Sequence, residues 1–253
     1  MLTVISPAKT LDLDPVDAEA SAPRFADETD NLVRTARRQG ISGLQSLMSI
    51  SEKLARLNRD RFRDFDIAQS KPAIFAFAGD TYTGLDATTL SADALRQAQG
   101  HLRILSGLYG LLRPLDAIRP YRLEMGARLP TRRGRDLYAF WGDALAEALN
   151  ADAAAAGTET LVNCASREYF AAADRPSLRL RVVTPTFLED RPGGPKIVSF
   201  QAKRARGAMA RFLLENRLSD PDDLRGFEAG GYRWQADRST PDAPVFLRAA
   251  EAA

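Results

Sequence analysis

Three stretches of this 253-residue chain hold side chains that could grip an anion, and each presents them differently. Residues 106–126, SGLYGLLRPLDAIRPYRLEMG, combine three glycines, two prolines, two tyrosines and three arginines. Proline restricts the residue before it to extended backbone, so Pro114 and Pro120 aim Arg113 and Arg119 in defined directions. A guanidinium fork matches two phosphate oxygens, and arginine and aromatic planes stack on bases. With Arg122, Tyr109 and Tyr121 alongside, the stretch suits a nucleic-acid backbone. The competing assignment turns its arginines inward, to Asp116 and Glu124.

The second stretch is LQSLMSISEKLARLN, residues 44–58. A helix-hairpin-helix DNA-binding element has an apolar pair three residues apart, a glycine-rich turn, and a second helix whose first N–H groups meet a phosphate. Leu44 and Leu47 supply the pair, and Leu54 and Leu57 are the expected apolar face of the second helix. Ser49 and Ser51 stand where glycines are usual, Ser51 is a capping candidate, and Lys53 lies beside them. The alternative is a plain helical hairpin with a polar outer face.

The third stretch, residues 196–217, contains a helix with Ala205, Met209, Phe212 and Leu213 inward and Lys203, Arg204, Arg206 and Arg211 off that stripe. Gly207 costs about 1 kcal/mol in a helix relative to alanine, so something must approach closely there. A phosphate backbone and a neighbouring strand both fit.

Two strand ends add polar groups. SPAKT (6–10) lacks the glycines of a nucleoside-triphosphate loop but offers Lys9 as a single phosphate contact. NCASREYF (163–170) offers Asn163, Ser166, Glu168 and Tyr169. With Tyr121 and Lys203 these would line a strand-end pocket, the basis of a second reading as an enzyme acting on a nucleotide or nucleic acid. No complete catalytic constellation accompanies it. Cys164 reads as a core residue, since a nucleophilic thiol needs a partner base and the chain has one histidine, His101.

One cysteine and one histidine cannot build a site for zinc or another borderline metal, so neither metal nor cofactor is expected, and direct iron sequestration is disfavoured. The net charge of +2 hides a strong pattern. Residues 32–65, 101–138 and 196–217 each carry +5, between an N-terminal −5 and a C-terminal −3. Gathered together, these blocks would make a surface for an anionic partner; scattered, they are solvated faces. No apolar run reaches the roughly 20 residues of a membrane span. MLTVISPAKTLD has no basic leader and does not read as a signal peptide, so a cytoplasmic location is expected.

These groups need a scaffold. LTVI, PAIFAFAGD, LRILS and TLVNC read as buried strands, and residues 27–39, 91–101, 136–156 and 202–216 as helices. A hairpin is expected around RPGG and another across residues 231–248. With no repeat and no linker, the expectation is one α/β domain over 1–253, a mixed central sheet covered by helices, with the hairpin element near 44–58.

Seven blocks in this order, ISPAKTLD, FAGDTYTGL, SGLYGLLRPLDAIRPYRLEMG, LYAFWGD, NCASREYF, SFQAKRARGAMARFLLENRL and GFEAGGYRW, resemble the YaaA family of bacterial peroxide-stress proteins across nearly the whole chain. The resemblance implies a single mixed α/β domain peculiar to that family, a helix-hairpin-helix-like element and a positively charged cleft. It also implies duplex-DNA binding and a part in limiting iron-dependent damage during hydrogen peroxide stress. The chain departs from the family pattern at Cys164, where NLAS is usual, and at Arg167, where an acidic or amide residue is common. It departs again in the turn MSIS, which lacks the hairpin glycines. The DNA contacts are therefore expected from Lys9, Ser49, Ser51, Lys53, Arg113, Arg119, Arg122, Lys203, Arg204 and Arg206, with no membrane and no obligate protein partner.

Overall fold

The chain's most apolar short runs become its central sheet. In the computed structural model, which describes residues 1–249, β1 (Leu2–Ile5), β5 (Leu102–Ser106) and β8 (Thr160–Cys164) lie at its centre and are buried almost throughout. Such runs suit strands covered on both faces. With β6 (Gly110–Leu112) and β9 (Arg181–Val183) the order is β6-β5-β1-β8-β9. All pairings are parallel except β5 with β6, so the sheet is mixed as expected. The register sets Ile5 between Ile104 and Cys164, so the carboxyl ends of β1 and β8 finish side by side.

A smaller sheet, β10 (Thr186–Glu189), β12 (Val245–Arg248) and β11 (Tyr232–Trp234), packs around Phe187, Phe227 and Phe246. β11 and β12 are antiparallel, which is the expected C-terminal hairpin. Two short pairs, β2 (Thr10–Leu11) with β4 (Phe77–Ala78) and β3 (Lys71–Pro72) with β7 (Ala117–Ile118), pin loops to the core. The result is a single α/β domain; the last four residues of the expected 1–253 span lie outside the described residues. Among the described residues no helix is long and apolar enough to cross a membrane.

Helices α1 (Ala26–Arg37), α2 (Gly40–Met48) and α3 (Glu52–Arg63) form one cover, α6 (Ala92–His101) leads into β5, and α10 (Ser199–Glu215) lies along the central strands. Several expectations change. PAIFAFAGD is not one strand: a helical turn, α4 (Ala73–Ala76), interrupts it, because the Ala73 and Ile74 N–H groups donate to the Asp116 and Pro114 carbonyls. The helix expected over 136–156 breaks at Gly142, whose φ of 50° ends α7 (Leu137–Trp141) before α8 (Ala144–Ala155) begins. Around RPGG only a single bridge, Glu189 with Lys196, joins the two arms. The buried face of α3 is Ala55, Asn58 and Phe62, while Leu54 and Leu57 stay 38% and 45% exposed.

α10 meets the short helix α5 (Asp80–Leu85) at backbone distance. A Cβ on Gly207 would lie 1.8 Å from the Thr81 carbonyl oxygen, and one on Gly84 would lie 1.9 Å from that of Arg204. The close approach demanded by Gly207 is therefore supplied by a helix of the protein itself. Gly207→Ala should cost about 2–3 kcal/mol, since relieving the overlap must move backbone. At this size that lowers Tm by roughly 5–10 °C in a thermal melt. An unchanged Tm would show that the two helices can separate freely.

Beneath the sheet, Arg103 is buried and donates from Nε to Asp152 at 2.6 Å, with Arg24 as a second partner of the same carboxylate. Burial alone would raise the Asp152 pKa, but the hydrogen bonds from Arg103 and Arg24 outweigh it and leave the carboxyl below its ordinary value. A depressed folded-state pKa adds stability that is present above about pH 4 and is lost as pH falls through it. Asp152→Asn leaves Arg103 buried without a counter-charge and should cost about 3–5 kcal/mol at neutral pH. In urea melts across pH, the gap to the unsubstituted protein should narrow below about pH 4.

Candidate functional site

Four segments converge where β1 and β8 end. Ser6, Lys9 and Thr10 follow β1, Ser166 and Glu168 follow β8, Asp80 and Thr81 open α5, and Lys203 and Arg206 project from α10. They enclose a cleft of about 340 Å³. Crevices beyond the carboxyl ends of parallel strands are the usual ligand sites of α/β sheets, because loops there can vary while the strands stay fixed.

The two serines lock the strand ends together. The Ser166 N–H donates to Ser6 Oγ at 2.8 Å, and the Ser6 hydroxyl donates to Ser166 Oγ at 3.3 Å. Ser166 caps α9 (Arg167–Phe170) by accepting from the Tyr169 N–H at 3.4 Å. Ser166 Oγ thus accepts twice, and its own proton is left for the cleft. Tyr169 is buried in the cleft wall, and burial raises its pKa. Glu168 Oε1 accepts from the Gly126 N–H at 3.0 Å, which fixes the carboxylate against the loop after residue 125.

Lys203 is exposed at the cleft mouth and makes no ion pair among the described residues. Arg206 is partly buried beside Cys164; burial lowers its pKa, and no hydrogen bond or ion pair from the described residues compensates. Lys9 is 67% exposed and lies 3.4 Å from Glu124, which also pairs with Arg122 at 2.9 Å. Arg61 of α3 belongs to the same neighbourhood: burial, and then the charge of Arg122, lower its pKa. Sequence reading placed Arg61 only within a basic block, quoted Ser6 and Thr10 without assigning them to the site, and did not single out Asp80. Ser6 and Thr10 flank the quoted Lys9, so the signal was present.

Other sequence-predicted residues are placed elsewhere. Arg113 is not aimed outward by Pro114; its Nε and Nη2 donate to buried Asp116 at 3.1 and 3.0 Å, and its backbone N–H donates to the same side chain. Arg119 donates to the Ala68 carbonyl at 3.2 Å and lies 5.7 Å over the Phe65 ring. Arg122 is held by Glu124. The inward assignment of residues 106–126 is therefore the observed one for Arg113 and Arg122. Tyr121 is buried and does not line the cleft, its hydroxyl 2.6 Å from that of Ser106, and Asn163 is buried with Oδ1 accepting from the Ala165 N–H. Arg204 faces a separate cavity of about 450 Å³, whose other arginines are engaged: Arg211 by Glu215 and Arg248 by Glu189. Ser49, Ser51 and Lys53 lie in and after the α2–α3 turn, all exposed. Ser49 adopts φ 51°, and Ser51 caps α3 by accepting from the Leu54 N–H.

Cys164 lines the cleft floor, and burial pushes its thiol up to about 12 against the opposing pull of Arg206. His101 sits against the Met1 carbonyl, at the opposite end of β1, so the two do not form a nucleophile–base pair. Among the described residues no group of three His, Cys, Asp or Glu side chains is arranged to hold a metal ion. A thiol of pKa about 12 is ionised in about one molecule in 10,000 at pH 8. Cys164 should therefore resist a disulfide reagent in the native protein and react fully in urea; fast native labelling would show a more open floor.

Comparison with known proteins places this architecture. A family model described as "Peroxide stress protein YaaA" matches residues 1–238. A UPF0246 protein of Cereibacter sphaeroides is 61% identical over 257 residues, covering 98% of this chain and all of its own. UPF0246 proteins of Ruegeria pomeroyi and Roseobacter denitrificans are 58% and 59% identical, each over 98% of both chains.

Proposed function

We propose that this chain, which belongs to the peroxide stress protein YaaA family and so has its role in the response to oxidative stress, binds duplex DNA across the strand-end cleft. The observation that carries the reading is the pair Lys203 and Arg206, cations without an internal partner on the rim and floor of one cleft. Lys9 lines the same cleft and, although it pairs with Glu124, stays 67% exposed, so it extends the positive rim. The α2–α3 turn offers a further contact of helix-hairpin-helix type: Ser49 takes the left-handed conformation a hairpin glycine would take, and Lys53 is exposed on the first turn of α3. Such binding would serve the limiting of iron-dependent damage that the family resemblance implies.

Rim cations contact phosphates through water-exposed forks and ammonium groups, so affinity should fall steeply with salt. Each contacted phosphate adds roughly 0.9 to the slope of log affinity against log salt. Lys9→Ala and Lys203→Ala should each reduce that slope by about 0.9, whereas Arg113→Ala, whose guanidinium is spent on Asp116, should leave it unchanged. Fluorescence anisotropy with a labelled duplex from 50 to 200 mM salt measures all three. No detectable binding at the lowest salt, or binding indifferent to salt, overturns the reading.

A further inference from the structure

The cleft is shaped for something smaller than a double helix. At about 340 Å³ it falls at the lower end of the roughly 300–1,000 Å³ typical of small-molecule pockets. A duplex can only lie across its mouth. The floor is also built differently from the rim. Arg206 is desolvated with no internal counter-charge, Ser166 keeps a free hydroxyl proton, and Tyr169 supplies an aromatic wall. Two carboxylates, Asp80 and Glu168, line the same space.

This mixture discriminates among ligands. A purely cationic pocket would serve any anion, but Asp80 and Glu168 repel a bare phosphate. Those carboxylates are acceptors, which sugar hydroxyls and base N–H groups satisfy. A phosphate needs the guanidinium fork and a hydroxyl donor, which Arg206 and Ser166 offer, with the Lys203 ammonium at the mouth. A base gains from a ring to stack on. Phosphate, donors and a flat ring together describe one nucleotide.

We infer that the floor of the cleft is a binding pocket for a single nucleoside monophosphate, its phosphate held by Arg206, Lys203 and the Ser166 hydroxyl and its sugar and base by Asp80, Glu168 and Tyr169. This deepens the duplex reading, since both use Lys203, but the pocket would bind its ligand with no duplex present. The same chemistry is offered by a free nucleotide and by the phosphorylated end of a DNA strand.

Titration calorimetry of the full chain with dAMP tests it. dAMP should bind one to one and at least tenfold more tightly than deoxyadenosine or inorganic phosphate. Arg206→Gln should weaken dAMP at least tenfold, whereas Lys9→Ala, on the rim, should leave dAMP affinity unchanged while lowering the salt slope for duplex DNA, which separates floor from rim. Because Arg206 is partly buried, Lys203→Ala at an exposed position serves as a second variant and should weaken dAMP without lowering Tm. Competition assigns the source. If a 5′-phosphorylated oligonucleotide displaces dAMP and its 5′-hydroxyl counterpart does not, the ligand is a strand end; if neither displaces it, the ligand is the free nucleotide. Equal affinity for dAMP and inorganic phosphate, or dAMP binding unaffected by both substitutions, overturns the proposal. Failure of duplex binding with dAMP binding intact would sink only the duplex reading.

Discussion

The backbone contact between α5 and α10 is the constraint on which the site depends. Two glycines make it, and each accepts a neighbouring carbonyl at a distance no Cβ would tolerate. A glycine inside a helix is unfavourable by about 1 kcal/mol, so close packing must offset that cost twice. The return is geometric. With α10 fixed against α5, one face of α10 is committed to the contact, and a turn of about 100° per residue decides what the others do. Lys203 and Arg206, three apart, share the cleft side, while Arg204 and Ala208 face the neighbouring cavity. The same contact holds Gly79, Asp80 and Thr81 at the cleft edge, so one interaction sets two of its walls. The other two walls are set by the parallel register that ends β1 and β8 together.

Charge within this fold is a matter of partners rather than of counts. Within the +5 blocks of the sequence many cations are paired and many are not. Arg37, Arg56, Arg63, Arg113, Arg122, Arg211 and Arg217 all face carboxylates, several from the acidic ends of neighbouring helices or loops. Exposed pairs of this kind contribute little stability, and because most use a carboxylate of the same block they localise its charge without cancelling its net +5. Among the cations left unpaired by the described residues, Lys203 and Arg206 share one side of α10 at the cleft, and Arg61 feels the like charge of Arg122.

The scaffold was legible in the sequence because its signals are local. LTVI, LRILS and TLVNC are short apolar runs bounded by polar or turn residues, and the Ser51 and Ser91 caps announce α3 and α6. Failures came where a tertiary contact overrode a local signal. Backbone hydrogen bonds from the Pro114–Asp116 loop wind PAIFAFAGD into a turn, and α3 buries Ala55 and Asn58 in preference to Leu54 and Leu57. The site was half legible for the same reason. Lys9, Ser166, Glu168, Tyr169, Lys203 and Arg206 carry chemistry visible in their own segments. That Asp80 and Ser6 complete the cleft follows only from sheet register and helix docking, and that Tyr121 and Asn163 do not follows from which face of a strand or loop turns inward.

On the proposed reading, the division between rim and floor explains why a cleft that meets a polyanion contains carboxylates at all. Rim cations act through water, where two charges 4 Å apart exchange only about 1 kcal/mol, and their effect is summed, screened and indifferent to which anion is present. The floor is different. Arg206 is partly buried and has no hydrogen bond or ion pair from the described residues, so it is left to interact with an anion that reaches it. A desolvated cation in a site meant only for long-range attraction would be a cost without a return. Asp80 and Glu168 beside it would weaken such a site further. The proposed nucleotide and duplex readings make the arrangement coherent together: the floor would select a ligand by its donors as well as its charge, and the rim would raise the concentration of nucleic acid above it.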